Sequence, residues 1–224
     1  MSMLSNLELI RRVPLFALLT ANQAESVAES VTKRRYKRGE VVVNQGERSN
    51  TLFIILTGRV RVVTSDKRGR EVILATLQPG DYIGEMSLID NQEHSATCRA
   101  EVQTDMLVLG RAEFARCLPE NSSMAYGIMK GLVQRLRQAD RKIESLALMD
   151  VYGRVARALL EFAAPDREGV LMIRDRISRQ DIAKMVGASR EMVSRVMKDL
   201  EDRGFIETRE DGSMLIKDRL ASLG

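Results

Sequence analysis

The sequence predicts an α+β chain: an antiparallel roll of short strands, then one long helix, then a small helical unit closed by a β-hairpin. Three observations predict it. Thr32 to Gly110 alternate β-branched apolar runs with glycine-bearing turns. From Glu120 to Asp150 the apolar spacing changes to threes and fours. Beyond Asp150, two short helical patterns meet at Gly187 and two strand patterns follow. At 224 residues the chain exceeds one average domain, and the expected division is 1–119, 120–149 and 150–224.

The roll is read from strand-length runs: Val41-Val42-Val43, Leu52-Phe53-Ile54-Ile55-Leu56 and Val72-Ile73-Leu74. Turn chemistry separates them at Lys37-Arg38-Gly39, Asn44-Gln45-Gly46, Thr57-Gly58, Lys67-Arg68-Gly69 and Gln78-Pro79-Gly80. Many short strands with regular turns suggest an antiparallel roll or jelly roll. Leu4–Leu9 and Ala21–Glu29 ahead of it read as short helices.

In the long helix, Met129, Leu132, Leu136, Ala139, Ile143 and Leu146 form a heptad seam, with Arg135, Arg137, Arg141, Lys142 and Glu144 off it. A narrow apolar seam needs a partner in water. Packing on a core and pairing with a second copy both satisfy it; the length and regularity favour a parallel dimer through 120–149. Asp150 reads as the N-cap of a helix over Val151 to Ala163. Pro165-Asp166-Arg167-Glu168-Gly169 then leads into a short strand, Val170–Ile173.

Composition excludes several function classes. No apolar run is long enough to span a bilayer, and Met1 to Arg12 lacks signal-peptide architecture, so a cytoplasmic protein is expected. Cys98 and Cys117 form no C-x-x-C or Cys/His cluster, so neither a disulfide framework, a metal nor a covalent cofactor is expected. There is no P-loop, no G-x-G-x-x-G and no Ser/His/Asp constellation beyond the lone His94, which argues against an enzyme. The net charge of +4 permits a nucleic-acid partner but is not concentrated in either half.

The sharpest signal runs from Ile177 to Val196. Ser178 and Asp181 fit a helix start, Ile182, Val186, Val193 and Val196 supply a core for two crossed helices, and Ala183 is small at their closest approach. Gly187 suits the tight turn, and Ser189 caps the second helix. This is a helix-turn-helix pattern. Asp202 to Glu207, the Glu210–Ser213 turn and Met214-Leu215-Ile216 add a wing. Arg190, Glu191, Ser194 and Arg195 occupy the exposed start of the second helix. There an arginine can donate twice to guanine and a carboxylate can accept from cytosine N4. Arg179 and Lys198 suit phosphate contacts, which position without specifying. Each of these charges also fits a solvated helix face.

These features together resemble the cyclic-AMP receptor protein/FNR family of bacterial regulators. The resemblance runs from about Phe16 to Ile216, including Gly80-Asp81-Tyr82-Ile83-Gly84-Glu85, Asp150-Val151-Tyr152-Gly153-Arg154 and Ser189-Arg190-Glu191-x-Val193-x-Arg195. It implies a cyclic-nucleotide-binding-like roll, a homodimer, a double-stranded DNA operator with TGTGA-type half-sites read by Arg190, Glu191 and Arg195, and contact with RNA polymerase.

The implied effector site departs from the family pattern. Gly84-Glu85-Met86-Ser87-Leu88 opens the phosphate-binding cassette, but His94-Ser95-Ala96 closes it where the family has Arg-Ser-Ala. The family's Thr-Ser pair corresponds to Ala139-Asp140. Neutral imidazole offers one donor where arginine offers a charged fork. Asp140 can accept from a guanine edge, and Arg137 or Arg141 can stack on it or hold a phosphate, so cyclic di-GMP is the leading effector. Cyclic AMP is the alternative, as is a degenerate pocket with no nucleotide. Asp140 also reads as a polar residue paired with Arg137 or Arg141.

Overall fold

The structure is a computed structural model describing residues 5–11, 13–16, 19–120, 122–166, 169–209, 211–217 and 220, without the side chains of 116–124. Leu4, Arg12, Arg167, Glu168 and Glu210, which carry parts of the helix, leader, loop and wing expectations above, lie outside these residues. The chain divides into two compact units, residues 1–136 and 137–224.

The first unit opens with α1 (Asn6–Ile10) and α2 (Ala21–Ser30), each started by a capping box: the Ser5 or Thr20 hydroxyl accepts from the backbone N–H of Glu8 or Gln23, whose side chain accepts in return from the backbone N–H of Ser5 or Thr20. Strands β1 (Val31–Tyr36), β2 (Val41–Val43), β3 (Thr51–Thr57), β4 (Val60–Ser65), β5 (Glu71–Leu77) and β6 (Tyr82–Ile83) follow. After α3 (Glu85–Asp90) come β7 (Thr97–Ala100), β8 (Thr104–Gly110) and α4 (Arg111–Glu120). One antiparallel sheet has the order β1-β8-β3-β6, the other β2-β7-β4-β5. Helix α5 (Ser122–Leu148) runs on from the first unit into the second.

The unbroken run Leu52–Ile55 is explained by burial on both faces of β3. Leu52 and Ile54 join the helix-covered core with Ile10, Phe16 and Val27, whereas Phe53 and Ile55 join the core between the sheets with Val60, Cys98 and Met106. A strand buried twice reads as continuously apolar rather than alternating. Two short helices were not expected from the sequence. Glycine at φ 95 before Glu85 starts α3, and α4 begins at Arg111, ahead of the regular periodicity at residue 120.

In the second unit, Asp150 caps α6 (Val151–Phe162) by accepting from the Gly153 N–H at 2.8 Å. Strands β9 (Ala164–Pro165) and β10 (Leu171–Ile173) lead to α7 (Arg179–Val186), α8 (Arg190–Asp202), β11 (Ile206–Thr208) and β12 (Met214–Ile216). The sheet order β11-β12-β10-β9 makes the wing one half of a four-stranded sheet. Strand β9 falls where the sequence suggested only a helix end and a loop, because Ala164 and Pro165 pair with Met172 and Leu171. Val155, Leu159, Ile182, Val186, Val193, Met197 and Ile216 share one core.

Candidate DNA-binding surface and effector site

Helices α7 and α8 meet at Gly187, whose φ of 65° is the left-handed conformation that costs glycine least. The Ser178 and Ser189 hydroxyls accept from the N–H groups of Asp181 at 3.0 Å and Met192 at 3.2 Å, capping both helices. Val193, Met197 and Leu200 of α8 are buried. Arg190, Glu191, Ser194, Arg195 and Lys198 therefore fall on its open side, and all are exposed. The Glu191 carboxyl is held below its usual range by its own backbone N–H and the Ser189 hydroxyl, with help from Arg190 and Arg195. It stays ionised and available as an acceptor. Ser194 donates to the Arg190 carbonyl at 2.9 Å. Arg179 is half-buried, 3.9 Å from Glu201 at the far end of α8.

In the first unit, Gly84 sits at φ 95° with no room for a side chain: a Cβ there would lie 2.4 Å from the Thr51 carbonyl. This places Glu85 at the start of α3, only 1% exposed. Burial pushes its carboxyl up, and the Arg135 guanidinium paired with it pulls the other way. Arg135 also donates to the Tyr82 carbonyl and lies 4.9 Å from the Tyr82 ring centre. Ser87 is buried, its hydroxyl donating to the Gln92 carbonyl at 2.7 Å, whereas Met86 and Ser95 are exposed.

His94 is 9% exposed, with Nε2 2.9 Å from the Ser49 hydroxyl. Its backbone is fastened to the preceding loop from both sides, donating to the Glu47 carbonyl and accepting from Gly46. Burial lowers the imidazole pKa against the opposing pull of Glu47, so the ring is neutral near pH 7.

Arg137, Asp140 and Arg141 belong to the second unit and are exposed. Among the described residues Asp140 makes no ion pair with either arginine. Arg135, noticed in the sequence only as a charge off the heptad seam, is the residue that reading missed. Its signal is the stripe Gly127, Gly131, Arg135 at four-residue spacing, two glycines marking a close approach. A Cβ on Gly131 would lie 1.9 Å from the Tyr82 hydroxyl oxygen.

Comparison with known proteins assigns a family to each part of the chain. The cyclic nucleotide-binding domain family matches residues 33–121, and the Crp-like helix-turn-helix domain family matches residues 153–221. The cAMP-activated global transcriptional regulator Vfr of Pseudomonas aeruginosa is 37% identical over 186 residues, 79% of this chain and 86% of its own. The cAMP-activated global transcriptional regulator CRP of Salmonella typhimurium is 35% identical over 178 residues, 77% of this chain and 83% of its own. Among solved structures, the c-di-GMP-responsive global regulator CLP of Xanthomonas campestris superposes with a TM-score of 0.75 at 27% identity, covering 88% of this chain and 98% of that one.

The fold and the exposed face of α8 thus define a DNA-binding transcriptional regulator that carries a cyclic nucleotide-binding domain. The chain belongs to the CRP/FNR family.

Proposed function

We propose that the protein is a cytoplasmic homodimer that reads a TGTGA-like palindrome under control of a small effector, with cyclic di-GMP as that effector. Residues 1–119 form the sensor, 120–149 the dimerisation helix and 150–224 the DNA-binding domain. The observation that carries the DNA reading is the open face of α8, where Arg190, Glu191 and Arg195 stand exposed above a buried core. Arg190 and Arg195 donate to guanine edges, and Glu191 accepts from cytosine. Arg179 and Lys198 contribute phosphate contacts, and Ser189, the cap of α8, and Ser194 on its exposed face complete the DNA-facing set. RNA polymerase is the protein partner this role calls for.

The dimer is supported by apolar side chains that α5 leaves open in a single chain: Met129, Leu136, Ile143 and Leu146 are each 56–64% exposed. An apolar stripe of that length is costly in water and is covered by a second copy of the helix. With two recognition helices roughly 34 Å apart, the dimer matches half-sites one DNA turn apart.

The effector-binding candidates are Gly84, Glu85, Met86, Ser87, His94 and Ser95 on the roll and, taken separately, Arg137, Asp140 and Arg141 on α5. The His94 ring is neutral and occupied with Ser49, which weakens its claim on a cyclic monophosphate. The exposed Asp140 carboxylate suits a guanine edge. Cyclic AMP is the second reading, favoured by two relatives above 30% identity whose names call them cAMP-activated.

Titration calorimetry with cyclic di-GMP, cyclic AMP and cyclic GMP separates the two readings. Heat from the first at micromolar concentration is expected; its absence removes cyclic di-GMP. On DNA, Arg190→Ala is expected to lose about 1–3 kcal/mol on the palindrome and relax preference at one guanine. An equal loss on every sequence would reduce Arg190 to a phosphate contact.

A further inference from the structure

We infer that Arg111 is a positioning residue of the effector site, its guanidinium holding the turn that carries the chain from α3 back to His94. The inference rests on the reading of residues 84–95 as the segment of the roll that takes the effector. It adds the residue outside that segment on which its shape depends.

Arg111 is the first residue of α4 and is half-buried. Its Nε donates to the Asn50 side-chain oxygen at 2.8 Å. One terminal nitrogen donates to the Ser87 carbonyl at 2.9 Å and to the Asn91 side-chain oxygen at 3.1 Å. Its backbone N–H donates to the Asn50 carbonyl at 2.8 Å. One planar group thus joins the residue before β3, the interior of α3 and the residue that ends α3. All three side-chain acceptors are neutral, so the bonds fix geometry rather than cancel charge. A guanidinium presents its donors in a rigid fork and sets where its acceptors lie relative to one another, which an ammonium does not.

The turn is one that needs holding. Asn91 ends α3 at φ 58°, the one non-glycine in the left-handed region among the described residues. Such a conformation persists where its surroundings over-determine it. Here the Asn91 N–H donates to the Ser87 carbonyl at 3.0 Å, the same carbonyl to which Arg111 donates. The Gln92 N–H donates to the Asp90 carboxylate at 2.9 Å, and the Gln92 carbonyl accepts from the buried Ser87 hydroxyl. His94 then returns to the loop ahead of β3, with its ring on Ser49. Ser49 and Asn50 are chain neighbours, so His94 and Arg111 grip one short stretch, one from the end of the turn and one from the start of α4. Loosening the fork frees the exit of α3, and with it the spacing between Gly84–Ser87 at the front of the segment and His94-Ser95 at its close.

The test compares the full-length protein with Arg111→Ala and with Arg111→Lys, which keeps the charge but not the fork. Two quantities are read: the His94 titration by proton NMR, and calorimetric affinity for cyclic di-GMP and cyclic AMP. Both variants are expected to move the imidazole upward toward the ordinary value of about 6.5, because the ring loses the burial that depresses it. Affinity for whichever nucleotide the wild type binds is expected to fall about tenfold or more in both, the worth of one charge-assisted hydrogen bond. If Arg111→Ala does not fold, Arg111→Lys carries the same expectations alone. An unchanged titration, or unchanged affinity beside a shifted titration, overturns the proposal. So does an Arg111→Lys variant that behaves as wild type while Arg111→Ala does not, since Arg111 would then act by charge. If the wild type binds neither nucleotide, the effector reading falls, and the His94 titration alone decides whether Arg111 holds the turn.

Discussion

Glu85 and His94 show how single side chains in the sensor are governed by their surroundings. Glu85 is almost fully buried, and its charge is tolerable because Arg135 answers it. Removing one partner of such a pair costs more than replacing both. Arg135→Ala is expected to destabilise the protein by about 3 kcal/mol, near the low end for buried pairs because Arg135 is partly open to water, and adding Glu85→Gln should recover much of it in chemical denaturation. His94 is the only histidine in the chain, so its titration can be followed without overlap. Its pKa is depressed in the fold, which means that folding favours the neutral ring. The associated stability is complete above the ordinary histidine value of about 6.5 and is lost as pH falls toward the depressed folded value. Proton NMR should find the imidazole titrating below 6.5, and the melting temperature should fall over the same interval. His94→Gln should lack that part of the fall.

Among the elements, the N-terminal half of α5 is the one whose placement depends most on missing side chains. Gly131 lies in a helix, where alanine is intrinsically better by about 1 kcal/mol. Yet a methyl group there meets the Tyr82 hydroxyl, which donates to the Ile128 carbonyl at 3.1 Å. Overpacking of this kind costs about 1–3 kcal/mol and wins. Gly131→Ala is therefore expected to lower the melting temperature despite its better helix propensity. Tyr82→Phe, which removes the obstructing oxygen, should make the same glycine substitution less harmful in the double variant. If Gly131→Ala stabilises the protein instead, the close approach of α5 to β6 is wrong. The helix-turn-helix is built differently, with hydroxyl caps, one left-handed glycine and a core below, so its outer face is left free for charge.

For the chain as a whole, assembly and DNA binding are one problem. In the proposed assembly a single helix-turn-helix contacts one half-site, and the stripe on α5 would supply the second by pairing two chains. Leu136→Glu with Ile143→Glu should yield monomers in sedimentation velocity, with each unit still folded by circular dichroism. The same variant should lose most of its affinity for the palindrome. A dimer that survives both charges moves the interface off α5. No helix among the described residues is long and apolar enough to cross a membrane.

Much of this was readable from residues alone where the governing interactions are local. Caps at Asp150, Ser178 and Ser189, the left-handed turn at Gly187 and the glycine-bearing turns of the roll depend on neighbours a few positions away, and periodicity shows which face of α8 is apolar. Strand β9, α3 and α4 escaped because each is settled by what it packs or pairs with, not by its own pattern. The site divides along the same line. The exposed placement of Arg190, Glu191 and Arg195 on α8 was readable from spacing, but the Glu85–Arg135 pair joins residues far apart in the chain, and the cation meets the acid only once Gly131 lets α5 approach Tyr82. Hydrogen bonding and steric choice within a few residues are written along the chain; burial, ion pairing and charge clustering between distant segments exist only after the backbone has closed.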